Sequence, residues 1–188
     1  MTARDPADLS FETPRVKARL LCEDDLDLYL ALYTDPEVMR YIGPVMGREA
    51  AEAQFRKSII LNEESCGMVR YWAGCSVEES GVARMSILSA ALTDQTPRSF
   101  EVGIMMLGSK WRMGYGNALL QGLVGCLFNA SRFNADVVMA RHLAENTGAQ
   151  SLFSRLGFSN LMHNDSKMKL CSMSSQQWLQ RTVFCHRI

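Results

Sequence analysis

Two glycines one residue apart, Gly114 and Gly116 in Trp111-Arg-Met-Gly-Tyr-Gly-Asn117, constrain this chain more than any other feature. They fall between a strand-like run and a run with helical spacing. Glycine at such a turn lets the backbone approach a ligand closely, and the first amides of the next helix have no intrahelical partner. Those amides, backed by the positive end of the helix dipole, suit a pyrophosphate. The turn therefore points to a phosphorylated cofactor. A P-loop needs Gly-x-x-x-x-Gly-Lys-Ser/Thr, and Gly103 to Lys110 approaches it in the wrong order, with Ser109 in the lysine position. A dinucleotide fingerprint needs a third glycine where Leu119 stands, and it opens a domain rather than following about a hundred residues.

Periodicity along the rest of the chain predicts an α+β fold. Val16 to Cys22 reads as a strand, and Leu26 to Tyr33 as a helix begun by Asp24 and Asp25. Arg48 to Asn62 has helical spacing. Gly67 to Ser76, Val82 to Leu92 and Phe100 to Leu107 read as strands, the first two joined by a hairpin turn at Ser80-Gly81. Asn117 to Phe133 reads as a helix, Ala135 to Arg141 as a strand and Thr147 to Leu156 as a helix. Lys167 to Met173 closes the strands, and Ser174 caps a last helix through Val183. With no repeat or linker, residues 1–188 read as one domain, with 1–12 a loosely ordered start.

The helix after the glycine turn has an apolar face of Leu119, Leu120, Leu123, Val124, Leu127 and Phe128. Ala118, Gly122, Gly125 and Asn129 line the opposite side. A glycine inside a helix costs roughly 1 kcal/mol relative to alanine. Either that face is exposed and tolerant, or a neighbouring element or second subunit approaches it closely.

Twenty basic and twenty acidic residues cancel, which argues against broad capture of nucleic acid or membrane. No run of about 18 apolar residues exists, and the start, Met1 to Asp8, lacks the apolar core of a secretory signal. Cysteines at 22, 66, 75, 126, 171 and 185 form no C-x-x-C pair, which fits reduced core residues of a cytoplasmic protein. His142, His163 and His186 lack metal-ligand spacing and read as structural or solvated.

The glycine turn resembles the acetyl-CoA-binding motif Gln/Arg-x-x-Gly-x-Gly/Ala of the Gcn5-related N-acetyltransferases (GNAT). Trp111 in its first position resembles the branch of the ribosomal-protein alanine acetyltransferases (RimJ/RimL-type). Four more segments are similar to that branch, in its order. They are Thr13 to Leu21 with Glu23 to Asp27, Thr34-Asp-Pro-Glu-Val-Met-Arg-Tyr-Ile-Gly43, Asn146 to Phe158, and Lys169 to Trp178. The resemblance implies a mixed, mostly antiparallel central sheet with a splayed strand pair and helices on both faces.

It also implies acetyl-CoA as cofactor, with the pantetheine paired to a strand edge along Met105, Met106 and Leu107. The pyrophosphate would then lie at Trp111, Arg112, Met113, Gly114, Tyr115, Gly116 and Asn117. Core filling is the other reading of Met105 and Met106, and alternation allows one to be only that. Asn146 resembles the asparagine near the pantetheine, and a helix N-cap before Thr147 is its other reading. Phe153 stands seven residues after Asn146, where many relatives have tyrosine, and Ala149 three residues after it, where others have serine. Both usual proton donors to sulfur are thus replaced: either Tyr115 is the candidate acid, or none is needed because CoA thiolate is a tolerable leaving group. Glu101 is the candidate general base, since an alkylammonium must lose a proton before it attacks. Tyr33, Arg40, Tyr41 and Trp72, with Tyr71, are candidates for the acceptor site. The acceptor is expected to be a small-molecule or peptide amine bound by a monomer or homodimer, with no nucleic-acid or membrane partner. A module that binds acyl-CoA without turnover is the alternative.

Overall fold

A computed structural model describes residues 9–63, 69–77, 84–93, 98–161 and 167–185. The Ser80-Gly81 turn, residues 1–8, Cys66, His163 and His186 lie outside the described residues, as does the side chain of Cys185.

Eight strands form one sheet in the order β1-β2-β3-β4-β5-β6-β8-β7. β1 is Phe11–Glu12, β2 Val16–Leu20, β3 Val69–Ser76, β4 Arg84–Thr93, β5 Ser99–Met106, β6 Val137–Leu143, β7 Ser159–Leu161 and β8 Met168–Ser174. Every pairing is antiparallel except β5 with β6. That parallel pair is in register only from Ser99↔Val137 to Glu101↔Met139. Beyond it the two strands part, which is the expected splay.

Helices cover both faces: α1 (Leu26–Tyr33), α2 (Pro36–Met39) and α3 (Arg48–Glu63) on one, α4 (Tyr115–Phe128), α5 (Thr147–Leu156) and α6 (Ser175–Cys185) on the other. Strand alternation divides the core accordingly. Trp72, Leu88, Val102 and Met106 point to the α4 side, while Ala73, Ile87 and Met105 point to the α1 side. No helix among the described residues is long and apolar enough to cross a membrane.

Leu26–Tyr33 and Thr147–Leu156 are helices with the bounds their spacing predicts, whereas α4 stops at Phe128 instead of Phe133. Asn129 leaves the helical region, and its side chain accepts from the amide and hydroxyl of Ser131, turning the chain away. Phe133 still packs on the core through Trp72 and Phe100, so its apolar character marked burial rather than helix. Of the expected loose start, residues 9–12 are described, and these are tied to the sheet. The buried Leu9 accepts from the Trp72 indole at 2.9 Å, and β1 pairs with β2.

The glycine face of α4 is covered. A Cβ on Gly122 would lie 2.6 Å from Phe11 Cε2 and 3.2 Å from Thr13 Cγ2, and one on Gly125 would lie 3.4 Å from Trp178. Side chains from the two ends of the chain, rather than another backbone, explain the small residues.

Candidate functional site

The splay between β5 and β6 opens a cleft of about 460 Å³ that passes from one face of the sheet to the other. Val102 to Met105 of β5 and Arg141 to Leu143 of β6 form its two sides. Asn146, Ala149, Leu152 and Phe153 close it on the α5 side, and Tyr33, Tyr41, Ile42 and Tyr71 at the opposite mouth.

The edge of β5 that faces this gap carries main-chain hydrogen-bonding groups. Leu107 donates its amide to Met85 on the β4 side. Backbone direction alternates along a strand, so the groups of Val102, Ile104 and Met106 face the gap. Past Glu101 no strand among the described residues pairs with that edge. An extended ligand with amide groups can satisfy it by strand addition.

At the end of β5 the chain turns into α4. Gly114 has φ 83°, a left-handed conformation that glycine adopts without strain, and Arg112 has φ 61°. The Trp111 indole donates to the Met106 carbonyl at 2.8 Å, tying the turn to the strand. Ala118 is the first residue of α4 to donate back, to Gly114, so the amides of Tyr115, Gly116 and Asn117 precede the intrahelical ladder. Arg15, from just before β2, donates to the Met113 carbonyl at 3.0 Å and lies over the Tyr115 ring. Its guanidinium places positive charge beside the helix N-terminus, which favours an anion there. Gly116 faces Leu152 and Met106, so the turn adjoins the cleft.

The expected cofactor residues divide by alternation. Met105 lines the cleft, whereas Met106 is a core residue whose carbonyl is engaged by Trp111. Leu107 packs toward the α1 side. Asn146 lines the cleft and also accepts from the Ala149 amide at 3.0 Å, so it caps α5 from within the site. Phe153 lines the cleft and packs on Phe158.

Glu101 shares a β5 face with Gly103 and Met105, just before the strands part, and forms an ion pair with Arg141 at 3.1 Å. Tyr115 is not in the cleft. It is buried on the α4 face with its hydroxyl 3.4 Å from Ser76 on β3, two strands away from β5 and too far along the sheet to serve the β5–β6 gap. Trp72 is likewise excluded from the acceptor mouth, because alternation turns its neighbour Tyr71 to the cleft and Trp72 into the core. Tyr33 and Tyr41 reach the mouth, with Arg40 over the Tyr41 ring at 5.2 Å. Burial, reinforced by Tyr29, pushes the Tyr33 hydroxyl far above its ordinary titration range, so it stays protonated. Tyr71 is raised by burial in the same way.

Three residues of the site had no local signal. Arg15 reaches the glycine turn across 98 residues, Arg141 reaches Glu101 only through the β5–β6 pairing, and His142 is buried in the cleft wall.

Comparison with known proteins agrees with this geometry. Residues 15–159 match the acetyltransferase (GNAT) domain family. No curated protein sequence matches the chain. Among solved structures, it is similar to a GNAT-family acetyltransferase from Bacillus anthracis, with TM-score 0.71, 13% identity, and 89% of this chain and 99% of that one covered. A spermidine N-acetyltransferase from Vibrio cholerae, in complex with CoA and spermine, superposes with TM-score 0.71 and 16% identity over 89% and 99% of the two chains. An aminoglycoside acetyltransferase in complex with coenzyme A gives TM-score 0.72 and 15% identity over 89% and 99%. At these identities the structural likeness is one of fold.

Proposed function

This chain belongs to the GNAT acetyltransferase family, enzymes whose cosubstrate is acetyl-CoA, and from that premise we propose that it transfers acetyl to a primary amine in a ternary complex. The observation that carries the reading is the unpaired β5 edge in the splay, continuous with the glycine turn. A Cβ on Gly116 would meet nothing nearer than Leu152 at 3.6 Å, so the protein's own packing does not require glycine there. Space for a ligand does. Acetyl-CoA, when bound, supplies an acetyl group activated as a thioester.

The protein's residues then have separable tasks. The β5 edge and Asn146 hold the pantetheine, while the first-turn amides of α4 and Arg15 hold the pyrophosphate. Glu101, positioned by Arg141, takes the proton of the attacking amine. Tyr33, Tyr41 and Ile42 shape the acceptor mouth. Spermine and an aminoglycoside, named with two of the similar structures, are polycations. The one permanently charged residue in the cleft lining among the described residues, Arg141, is cationic and engages Glu101 at the cleft's edge, which leaves no cluster of carboxylates there and favours an amine or peptide N-terminus of low positive charge. The five matched segments favour the ribosomal-protein-alanine branch.

Ala149 and Phe153 give the α5 wall no exchangeable proton, which is the observation favouring the second reading, acyl-CoA binding without turnover. Thermal melts with acetyl-CoA, NAD and ATP, followed by thiol release across an amine panel, separate the two. Acetyl-CoA at a hundredfold excess over Kd stabilises by about 2.7 kcal/mol, a shift on the order of 5–10 °C. Glu101→Gln keeps that shift and lowers turnover by roughly 100-fold or more. A shift without thiol release for any amine supports the binding module, and no specific shift refutes both.

A further inference from the structure

His142 is the one imidazole among the described residues, and only 6% of its surface is exposed. Strand alternation explains its place. Val138, Ala140 and His142 face α4 and α5, while Arg141 turns to the opposite side and meets Glu101. The ring is stacked on Phe153 of α5, with centroids 6.2 Å apart and planes 14° from parallel, and both residues line the cleft. His142 Nδ1 is 2.9 Å from the Leu143 carbonyl oxygen. A carbonyl only accepts, so Nδ1 carries a hydrogen and Nε2 is the nitrogen that can gain or lose a proton. A proton moving on or off Nε2 would leave the Leu143 bond in place. Ala149, Leu152 and Phe153 opposite have no proton to give, and Tyr115 is directed at Ser76.

We propose that His142 is the proton donor to the CoA sulfur, an assignment that rests on the acetyltransferase reading above. Its imidazolium releases the Nε2 proton to sulfur as the acetyl C–S bond breaks and the C–N bond to the amine forms. The amine's surplus proton leaves through Glu101 to solvent, and His142 regains one from solvent, so atoms and charge balance. Lys169 is in register with His142 on β8, and the Arg141–Glu101 pair lies across the sheet from it.

Two variants isolate the role. His142→Asn keeps an amide donor near the Nδ1 position and removes the far nitrogen, and His142→Phe keeps a ring against Phe153 without either nitrogen. The first readout is the thiol titration of protein-bound CoA, followed by thiolate absorbance. An adjacent imidazolium favours thiolate, so the wild-type complex should titrate about one pH unit below both variants. The His142 ring resonance should respond to CoA and not to desulfo-CoA. Turnover should fall roughly 100-fold in both variants with acetyl-CoA affinity retained. Identical thiol titrations with turnover within about threefold of wild type would overturn the assignment of His142 alone. Failure of the wild-type protein to bind CoA would overturn the acetyltransferase reading with it.

Discussion

The two glycines of the turn should respond in opposite ways to the same small change. Gly116 lies in the first turn of α4, where a Cβ would make only ordinary contacts, 3.6 Å to Leu152 and 3.7 Å to Met106. Gly116→Ala therefore removes unfolded-chain entropy without strain and should stabilise by about 0.5–1 kcal/mol. For a chain of 188 residues that is a rise of about 1–4 °C in Tm. The same methyl stands where the pyrophosphate is expected, so the acetyl-CoA shift of about 5–10 °C should collapse. Gly114 is different. With φ 83° and Arg15 Nη1 2.7 Å from a built Cβ, Gly114→Ala costs about 1–2 kcal/mol of left-handed strain and displaces the guanidinium. Its Tm should fall by about 2–8 °C before any ligand is added. Scanning calorimetry of both variants, with and without acetyl-CoA, measures all four quantities. A Gly116→Ala protein that binds acetyl-CoA like wild type would refute the placement of the phosphate. One that is destabilised would refute the packing argument.

Two further outcomes follow from packing and burial. Gly122→Leu drives a side chain into Phe11 and Thr13, and over-packing of this kind costs about 1–3 kcal/mol. An unchanged melting temperature would mean that the start of the chain does not cover α4. On the alkaline side, burial pushes the Cys171 thiol from 9.0 up to about 11, against a smaller opposing hydrogen bond with the Ala140 backbone. The folded protein thus keeps a proton that the unfolded chain has lost. The associated stability is whole below about pH 9 and is lost as pH rises toward about 11, with Tyr33 and Tyr71 adding loss in the same direction. Urea melts across this range should decline less steeply for Cys171→Ala, and a parallel decline would show that the thiol is not coupled to folding.

What could be read without coordinates was whatever depends on neighbours in the chain. The spacing of Leu119, Leu120, Leu123 and Leu127 is enough to define a buried helix face, since it follows from 3.6 residues per turn. The glycine turn is legible for a similar reason, because its conformational demand and its amides belong to one short segment. Alternation also permitted one of Met105 and Met106 to be core without saying which, and the side taken depends on where α4 packs. The choice between Tyr71 and Trp72 has the same origin: a strand has two faces, and only the layers around it decide which is the site. Tertiary structure alone joined Glu101 to Arg141, Arg15 to the glycine turn and His142 to Phe153. Each of these contacts joins residues on different elements or turns, and side-chain chemistry between them leaves no periodic trace. The sequence determined that a glycine turn and an amphipathic frame would form, because those rest on local geometry. The fold decided which charges and which imidazole share the cleft, because that requires β5 and β6 to lie parallel and then part.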